Sequence, residues 1–296
     1  MDLKFLNIEK SLSSREWISP SAEIERLASG LQQKHDISFL TALLLCKRGV
    51  RSNEVDLYLS PKIKNLMPDP YSLKDMQNAS KRLIKAINKN EKICIYADYD
   101  VDGATSAAML KLWLKHFQIS PEIYIPDRIK EGYGPNLTAM ETLSQNNQLI
   151  ICVDCGTVSH DEISIANNNG AEVLIIDHHL ADANLPQALA VVNPKRQDES
   201  GELDYLCAAG LVFIFLVSVS RLLREKGAEP PNLLNFLDLV ALATVADVVP
   251  LIKLNRAFVK QGLKVLAKRN RPGLVALIDE AKIKTATTSF HVGFLL

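Results

Sequence analysis

The feature that most constrains the fold is an apolar strand that ends in three carboxylates. Residues 93–97 form an apolar run, which predicts a buried β-strand. Carboxylates follow at alternate positions, as Asp98, Asp100 and Asp102. We expect Gly103 to permit a tight turn and residues 104–117 to form a helix. The stretch alone fits two structures: a divalent-metal site that relieves the repulsion between the acids, or an acidic turn that caps a helix.

Further along the chain, apolar runs alternate with helical segments. These runs predict four more strands, at residues 122–126, 148–153, 173–176 and 188–192. Continuous apolar strands between helices are typical of a parallel sheet that is covered on both faces. We therefore predict an α/β fold with a Rossmann-like parallel sheet, preceded by a helical N-terminal part and followed by a helical C-terminal part.

Potential ligand side chains follow three of these strands. The acidic group after the first strand is joined by Asp154 after the third and by Asp177-His178-His179 after the fourth. Ligands bind outside the carboxyl ends of parallel strands, so we expect these side chains to converge. Asp247 ends an apolar helix, and an acid in such a place needs a partner that a metal could supply. Taken alone, the two histidines could instead cap a helix.

The composition limits the class of protein. The chain has 296 residues, 47% of them hydrophobic, which suffices for one large α/β domain or two smaller ones. Its 34 basic and 34 acidic residues cancel, so any binding of nucleic acid must use a local groove. Five cysteines without a framework spacing indicate a reducing compartment, and we expect a cytoplasmic protein.

One apolar segment, at residues 206–223, approaches the length of a membrane span. Three small residues at 208–210 and two serines dilute its hydropathy, and Arg221 interrupts its end. We therefore predict a buried core helix and no association with a membrane.

Four segments resemble, in order, the four motifs of the DHH phosphoesterase superfamily: Asp98–Gly103, Val153–Gly156, Asp177–His179 and Ala243–Asp247. Within this superfamily the chain is similar to the RecJ-type single-stranded-DNA-specific exonucleases. The segments that carry this closer similarity are 126–134, 192–195, 208–210 and 237–242. The resemblance covers residues 38–296, which is nearly the whole chain.

The resemblance implies a catalytic site with two divalent cations. Asp100 and Asp102 would bind one metal each, and Asp154 would bridge both. His178 would bind the second metal together with Asp247. A ligand set that is rich in oxygen and includes one imidazole favours Mn²⁺ or Mg²⁺ over zinc.

Further motif residues have implied roles around these metals. His179 would face the substrate phosphate as part of the catalytic group, and Asp177 would orient its neighbours. Asp98 would be either a further ligand or a supporting acid, and the sequence leaves this open. Many superfamily members have a histidine four positions before Asp100, where this chain has Tyr96, so the first metal would lack one ligand.

A polar loop after the second strand is predicted to bind substrate. Arg128 could clamp a phosphate, although a solvated loop cation is the alternative. Gly132 and Gly134 would let the loop approach a nucleotide backbone. Tyr133 could stack on a base or pack within the loop.

The function implied by the resemblance is metal-dependent hydrolysis of phosphodiester bonds. The enzyme would be a 5′-to-3′ exonuclease that releases 5′-mononucleotides from single-stranded DNA in recombination and repair. Two alternatives remain: a small-substrate phosphodiesterase that cleaves short oligonucleotides or cyclic dinucleotides, and an inactive truncated or scaffold relative. The resemblance also implies a single-stranded-DNA-binding protein and a helicase as partners, and we expect a monomer.

The resemblance divides the chain into three parts. Residues 1–90 would be a helical lead-in, 91–250 the DHH phosphoesterase domain, and 251–296 a helical segment that leads to a DHH-associated domain. The chain closes on an apolar segment, 289–296, without a polar tail. We expect from this ending that the sequence is truncated at its C-terminus and has weak or no processive activity.

Overall fold

The computed structural model describes Lys4 and residues 8–296, which belong to two units, Met1–Lys62 and Ile63–Leu296. In the first unit, helices α1 to α3 span Ala22–His35, Phe39–Lys47 and Val55–Leu59. Serine side chains start the first two of these helices by accepting a hydrogen bond from a backbone N–H in the first turn. Apolar side chains from all three helices form a small core of their own. The predicted helical character of this region is confirmed.

The second unit is built on a five-stranded parallel sheet. Strands β1 to β5 span Ile93–Ala97, Glu122–Tyr124, Leu149–Val153, Glu172–Ile176 and Ala190–Val192. Their order is β2-β1-β3-β4-β5, and every pair is parallel. The order reverses between β1 and β3, so the chain leaves these two strands in opposite directions and opens a crevice at their carboxyl ends. The predicted fold class and all five strands are confirmed.

Helices cover both faces of this sheet. Helices α4 to α13 span Ile63–Leu66, Met76–Lys89, Val101–Lys115, Leu137–Asn146, His160–Asn168, Ala208–Glu225, Leu237–Ala246, Lys253–Leu266, Pro272–Glu280 and Ser289–Phe294. Alternate strand residues point to opposite faces. Ile93 and Ile95 therefore pack in the larger core with α5, α6, α9, α10 and α11, while Cys94 and Tyr96 pack in the smaller core with α7 and α8.

Helix α9 is the apolar segment that approached the length of a membrane span. It is buried over most of its length and packs against α5, α6 and α10. Within the described residues, no helix combines the length and hydropathy that a transmembrane segment requires. A buried hydrogen bond of 2.7 Å joins Ser218 of α9 to Ser80 of α5, which satisfies polar groups that would otherwise be stranded in the core.

One local expectation is corrected by the structure. Helix α6 begins at Val101, three residues before the predicted start, so Gly103 lies inside the helix and not in a tight turn. Arg271, at the start of α12, donates to the buried carboxylate of Asp238 over 2.5 Å. A buried carboxylate is stable only with such a partner, and tertiary packing supplied one from 33 residues away.

The domain boundaries at 90 and 250 remain a proposal. The division between the two units falls between residues 62 and 63, and α5 forms part of the core beneath the sheet.

Helices α10 and α11 pack so closely that only glycine fits at their crossing. A Cβ on Gly262 would lie 2.1 Å from the carbonyl oxygen of Leu237 and 2.4 Å from Cβ of Ala241. We expect Gly262→Ala to lower the free energy of unfolding by about 3 kcal/mol, the upper end of the usual cost of overpacking. Gly273→Ala is the matched control, because a Cβ there would meet nothing within 4 Å. Equal urea midpoints for the two variants, followed by circular dichroism, would contradict this packing.

Candidate metal centre

Three acids extend the ends of neighbouring strands. Asp98, Asp154 and Asp177 directly follow β1, β3 and β4, whose last residues pair with one another across the sheet. The backbone N–H of each acid donates to the carbonyl that ends the next strand, over 3.3, 3.0 and 3.1 Å respectively. Adjacent strands lie about 4.8 Å apart, so this ladder alone forces the three carboxylates together. The predicted convergence at the carboxyl ends is confirmed.

Two clusters of potential ligand atoms form at this edge. Within each cluster the ligand atoms all lie within 4.8 Å of one another. One cluster comprises Asp98, Asp100 and Asp154, and the other comprises Asp102, His178 and Asp247. Asp154 also forms a group with His178 and His179, so its carboxylate lies between the two clusters.

His178 is the centre of the second cluster. Its Nε2 atom lies 3.7 Å from Oδ2 of Asp102, 3.7 Å from Oδ2 of Asp247 and 3.2 Å from Oδ1 of Asp154. Neighbouring ligands of an octahedral cation with bonds of about 2.1 Å lie about 3 Å apart. The observed spacing is therefore close to that of ligands around one ion.

Several buried polar atoms at this centre lack hydrogen-bond partners among the described residues. Among the described residues, the buried side-chain atoms without a partner include Asp98 Oδ1, Asp154 Oδ1, Asp247 Oδ2 and both ring nitrogens of His178. Buried polar atoms are nearly always paired, because an unpaired one loses the free energy of its hydration. Carboxylate oxygens with one imidazole are ligands that Mg²⁺ and Mn²⁺ accept, so the residues present fit such ions.

Burial and mutual repulsion raise the pKa of the central carboxyls. Burial, followed by the charges of Asp102 and Asp100, raises the pKa of Asp154 to about 11. Burial also raises the pKa of Asp102 to about 7, although amide hydrogen bonds oppose the shift. The pKa values of Asp98 and Asp247 are raised as well, chiefly by burial. These carboxyl groups therefore stay protonated until a positive ion replaces the protons.

The two histidines have opposite electrostatic environments. Burial and the neighbouring His179 lower the pKa of His178 to about 4, which keeps its imidazole neutral and able to bind a metal. A hydrogen bond to Asp177 raises the pKa of His179. Burial would raise the pKa of Asp177, but its hydrogen bonds from His179 and Thr157 outweigh burial and hold the pKa at about 2.

Asp177 orients the histidines through its own hydrogen bonds. Its Oδ1 accepts from the backbone N–H of His178 over 2.7 Å and from the backbone N–H and Nδ1 of His179 over 3.2 and 2.8 Å. Its Oδ2 accepts from the N–H of Thr157 over 3.2 Å. A carboxylate with these donors is rigidly held, and Asp177 belongs neither to the two ligand clusters nor to the group of Asp154 with the two histidines.

Helix termini hold two acids of the first motif, Asp100 and Asp102. Asp100 caps α6, where its Oδ1 accepts from the N–H of Gly103 over 3.0 Å. Asp102 accepts from the N–H groups of Ala208 and Ala209 over 2.6 and 2.8 Å, at the positive end of α9. A Cβ on Gly103 would lie 2.3 Å from the carbonyl oxygen of Asp98. Glycine is therefore required here by close approach and not by a turn.

The predicted substrate loop lies beside this centre. Gly132 and Gly134 adopt φ values of 81° and 77°, in the left-handed region that favours glycine. The Tyr133 hydroxyl reaches the carbonyl oxygen of Asp154 and Nδ1 of His179, over 3.0 and 2.9 Å. Arg128 is exposed, and its guanidinium lies 4.9 Å from the ring centre of Tyr99. The phosphate-clamp role of Arg128 and the stacking role of Tyr133 stay predictions.

Sequence reasoning assigned no role to the segment after β5. Asn193 donates to the carbonyl of His179 and to Oγ1 of Thr157, and its own Oδ1 accepts from the N–H of Lys195. Besides burial and the neighbouring imidazole, the Lys195 charge lowers the pKa of His178. The Asn-Pro-Lys sequence at the end of a predicted strand was the signal that could have identified this cation.

The family follows from comparison with known proteins. A model of the DHH family, N-terminal domain, matches residues 92–244, more than half of the chain. The chain belongs to the DHH family. This match includes all the site residues described above except Asp247.

Similar members of the DHH family include RecJ proteins. The single-stranded-DNA-specific exonuclease RecJ of Bacillus subtilis (strain 168) is 37% identical over 268 residues, which are 90% of this chain and 33% of that protein. The crystal structure of an exonuclease RecJ bound to manganese matches with a TM-score of 0.68 and 32% identity, over 78% of this chain and 56% of that one. RecJ from Thermus thermophilus in complex with Mn²⁺ matches with a TM-score of 0.71 and 28% identity, over 94% and 38%. The chain thus spans about a third of the length of the Bacillus relative.

Metal binding at this centre should depend on pH. A carboxyl must lose its proton before it binds a metal, and the pKa values of Asp102 and Asp154 are raised to about 7 and about 11. We therefore expect Mn²⁺ affinity to rise between pH 6 and pH 8, by roughly tenfold per pH unit for each proton displaced. Isothermal titration calorimetry in buffers of different ionisation enthalpy measures both the affinity and the number of protons released.

Asp154→Asn is the matched variant for this experiment, since asparagine also tolerates the left-handed backbone of this position, where φ is 62°. It should bind Mn²⁺ more weakly and release fewer protons. An affinity that is independent of pH in the unsubstituted protein would show that these carboxyl groups are not protonated before the metal binds.

Proposed function

We propose that this protein is a metal-dependent nuclease, a hydrolase that cleaves phosphodiester bonds of single-stranded DNA. The observation that carries the proposal is two ligand clusters with Asp154 between them, since it belongs to the first and lies 3.2 Å from His178 of the second, together with buried atoms that lack hydrogen-bond partners. A carboxylate between two clusters suits a pair of divalent cations, which stabilise the attacking and leaving oxygens of a phosphoryl transfer and activate water. Similarity to RecJ proteins supports single-stranded DNA as the substrate.

We propose roles for the ligand residues as follows. Asp98, Asp100 and Asp154 would hold the first Mn²⁺ or Mg²⁺, and Asp154 would bridge to the second ion, held by Asp102, His178 and Asp247. The unpartnered Oδ1 of Asp98 supports its role as a ligand, since Tyr96 occupies the position where many superfamily members have a histidine. Tyr96 itself donates its hydroxyl hydrogen to the carbonyl of Gly134, over 2.9 Å.

The other residues of the site would bind and orient the substrate. Nδ1 of His179 donates to Asp177, because a carboxylate only accepts. Nε2 of His179 is then the ring nitrogen that faces a substrate phosphate. Lys195 and Arg128 would add positive charge that attracts the phosphodiester backbone. The carboxylates of the ligand clusters alone would repel its negative charge. Gly132 and Gly134 would leave room for that backbone beside the loop.

The finer parts of the proposal rest on similarity to the RecJ-type enzymes. They are digestion from 5′ to 3′ with release of 5′-mononucleotides, a part in DNA recombination and repair, and partnership with a single-stranded-DNA-binding protein and a helicase. We also propose a monomer in the cytoplasm. Four of the five cysteines are buried and all are free thiols, which supports a reducing compartment.

Substrate length separates this function from that of a small-substrate phosphodiesterase. We expect Mn²⁺-dependent release of 5′-mononucleotides from a long 5′-phosphorylated strand to exceed hydrolysis of a dinucleotide or a cyclic dinucleotide in kcat/KM. Asp154→Asn should reduce the rate by at least about 10³-fold, because it removes the ligand shared by both metals. A higher kcat/KM for the dinucleotide would show that single-stranded DNA is not the preferred substrate. Unchanged turnover by Asp154→Asn would show that catalysis does not use the proposed site.

Lys195 should act on substrate binding. We expect Lys195→Gln to raise KM for single-stranded DNA by roughly tenfold, and to lower the slope of log affinity against log salt by about 0.7, the value for one lost phosphate contact. Lys195→Arg should restore most of the affinity. The control is Lys89→Gln, which removes an exposed cation at the end of α5, before β1. Equal KM values for Lys195→Gln and Lys89→Gln would show that Lys195 does not contact the substrate.

A further inference from the structure

The loop at residues 127–134 is tied to the sheet by three tyrosine hydroxyls, of which that of Tyr124, at the end of β2, donates to Glu131. Tyr96, fully buried in β1, donates to the carbonyl of Gly134 over 2.9 Å. Tyr133 donates to the carbonyl of Asp154 over 3.0 Å. Within the loop, Glu131 accepts hydrogen bonds from the N–H of Asp127 and the side chain of Asn136, over 2.7 and 3.0 Å. The loop is thus held in one conformation next to the ligand clusters.

The hydrogen atoms at Tyr133 can be assigned from the chemistry of its partners. A carbonyl oxygen only accepts, so the hydroxyl hydrogen goes to Asp154. The hydroxyl oxygen then accepts from Nδ1–H of His179, 2.9 Å away. The same Nδ1–H donates to Oδ1 of Asp177 over 2.8 Å, so it is shared between two acceptors. The two rings meet edge to face, with centres 5.4 Å apart.

Both partners of this hydroxyl need a restraint. Asp154 has a φ of 62°, a conformation that is uncommon for residues other than glycine and that persists only when its surroundings hold it. His179 is only half-buried, so its ring is not confined by packing alone. One hydroxyl thus connects the shared carboxylate residue with the histidine proposed to face the phosphate.

We propose that Tyr133 is a positioning residue whose hydroxyl holds the His179 ring and the backbone of Asp154, and that Tyr96 supports it by anchoring the loop. This inference rests on the proposed nuclease function for its kinetic consequence. It differs from a stacking role in one respect: stacking uses the ring of Tyr133, whereas positioning uses the hydroxyl. Tyr96 would thus have a role different from that of a metal-binding histidine at its position, because its hydroxyl binds the loop at Gly134.

Phenylalanine and leucine substitutions separate the two roles. For Tyr133→Phe, which keeps the ring, we expect kcat to fall roughly tenfold with KM for a 5′-phosphorylated single strand within about twofold. Tyr96→Phe should lower kcat in the same direction. Tyr71→Phe is the control, since its buried hydroxyl has no hydrogen-bond partner among the described residues. It should match the unsubstituted enzyme.

The opposite kinetic pattern would overturn the proposal. If Tyr133 stacks on a base, Tyr133→Phe will equal the unsubstituted enzyme and Tyr133→Leu will raise KM. A circular-dichroism melt of each variant shows whether it is folded, so that a loss of kcat is not mistaken for unfolding.

A spectroscopic measurement tests the same contact without nuclease activity. The side-chain ¹H–¹⁵N spectrum of the full chain contains signals from six histidines, and His179→Asn identifies those of His179. Tyr133→Phe should shift the ring signals of His179, and Tyr71→Phe should not. Unchanged His179 signals in Tyr133→Phe would refute the positioning contact. An unsubstituted protein without nuclease activity would instead refute the proposed function, while the spectrum would still decide the contact.

Discussion

The crowding of carboxylates at one edge of a parallel sheet is the constraint around which the second unit is arranged. Strand register places Asp98, Asp154 and Asp177 side by side, and the reversal of strand order between β1 and β3 opens the crevice there. Helix α6 adds Asp100 and Asp102, and the end of α10 adds Asp247. Burial and mutual repulsion both disfavour the ionised form of these acids. Together they raise the pKa values of Asp102 and Asp154, and a positive ion would relieve the repulsion.

The surrounding structure holds the acids in place in three ways. The positive end of α9 binds both oxygens of Asp102, and four hydrogen bonds fix Asp177. Gly103 lets α6 approach the backbone of Asp98 more closely than any side chain would permit. The burial of mutually repelling acids costs local stability, and the large apolar core beneath the sheet offsets this cost.

Most of the centre was predictable because its residues follow apolar strands in short motifs. Asp154 and His178 could be assigned to one edge from the rule for parallel strands alone. The hydroxyl of Tyr133 and the cation of Lys195 could not be assigned in this way. Their positions depend on how loops return to the sheet, and a loop sequence rich in glycine and polar residues is compatible with many paths. Gly103 was identified, but its reason was wrong, since the close approach to Asp98 exists only after the helix has docked.

The amino-acid sequence by itself determined the parallel α/β fold, the five strands and the edge at which the acids and histidines meet. It did so because alternation of apolar runs and helices, with acids at strand ends, is local information that survives without tertiary contacts. Only the tertiary structure decided which atoms face one another: Asp154 between two clusters, Asp102 on the amides of α9, and Arg271 on Asp238. Those contacts join residues far apart in the chain, and their distances depend on how closely the helices pack on the sheet.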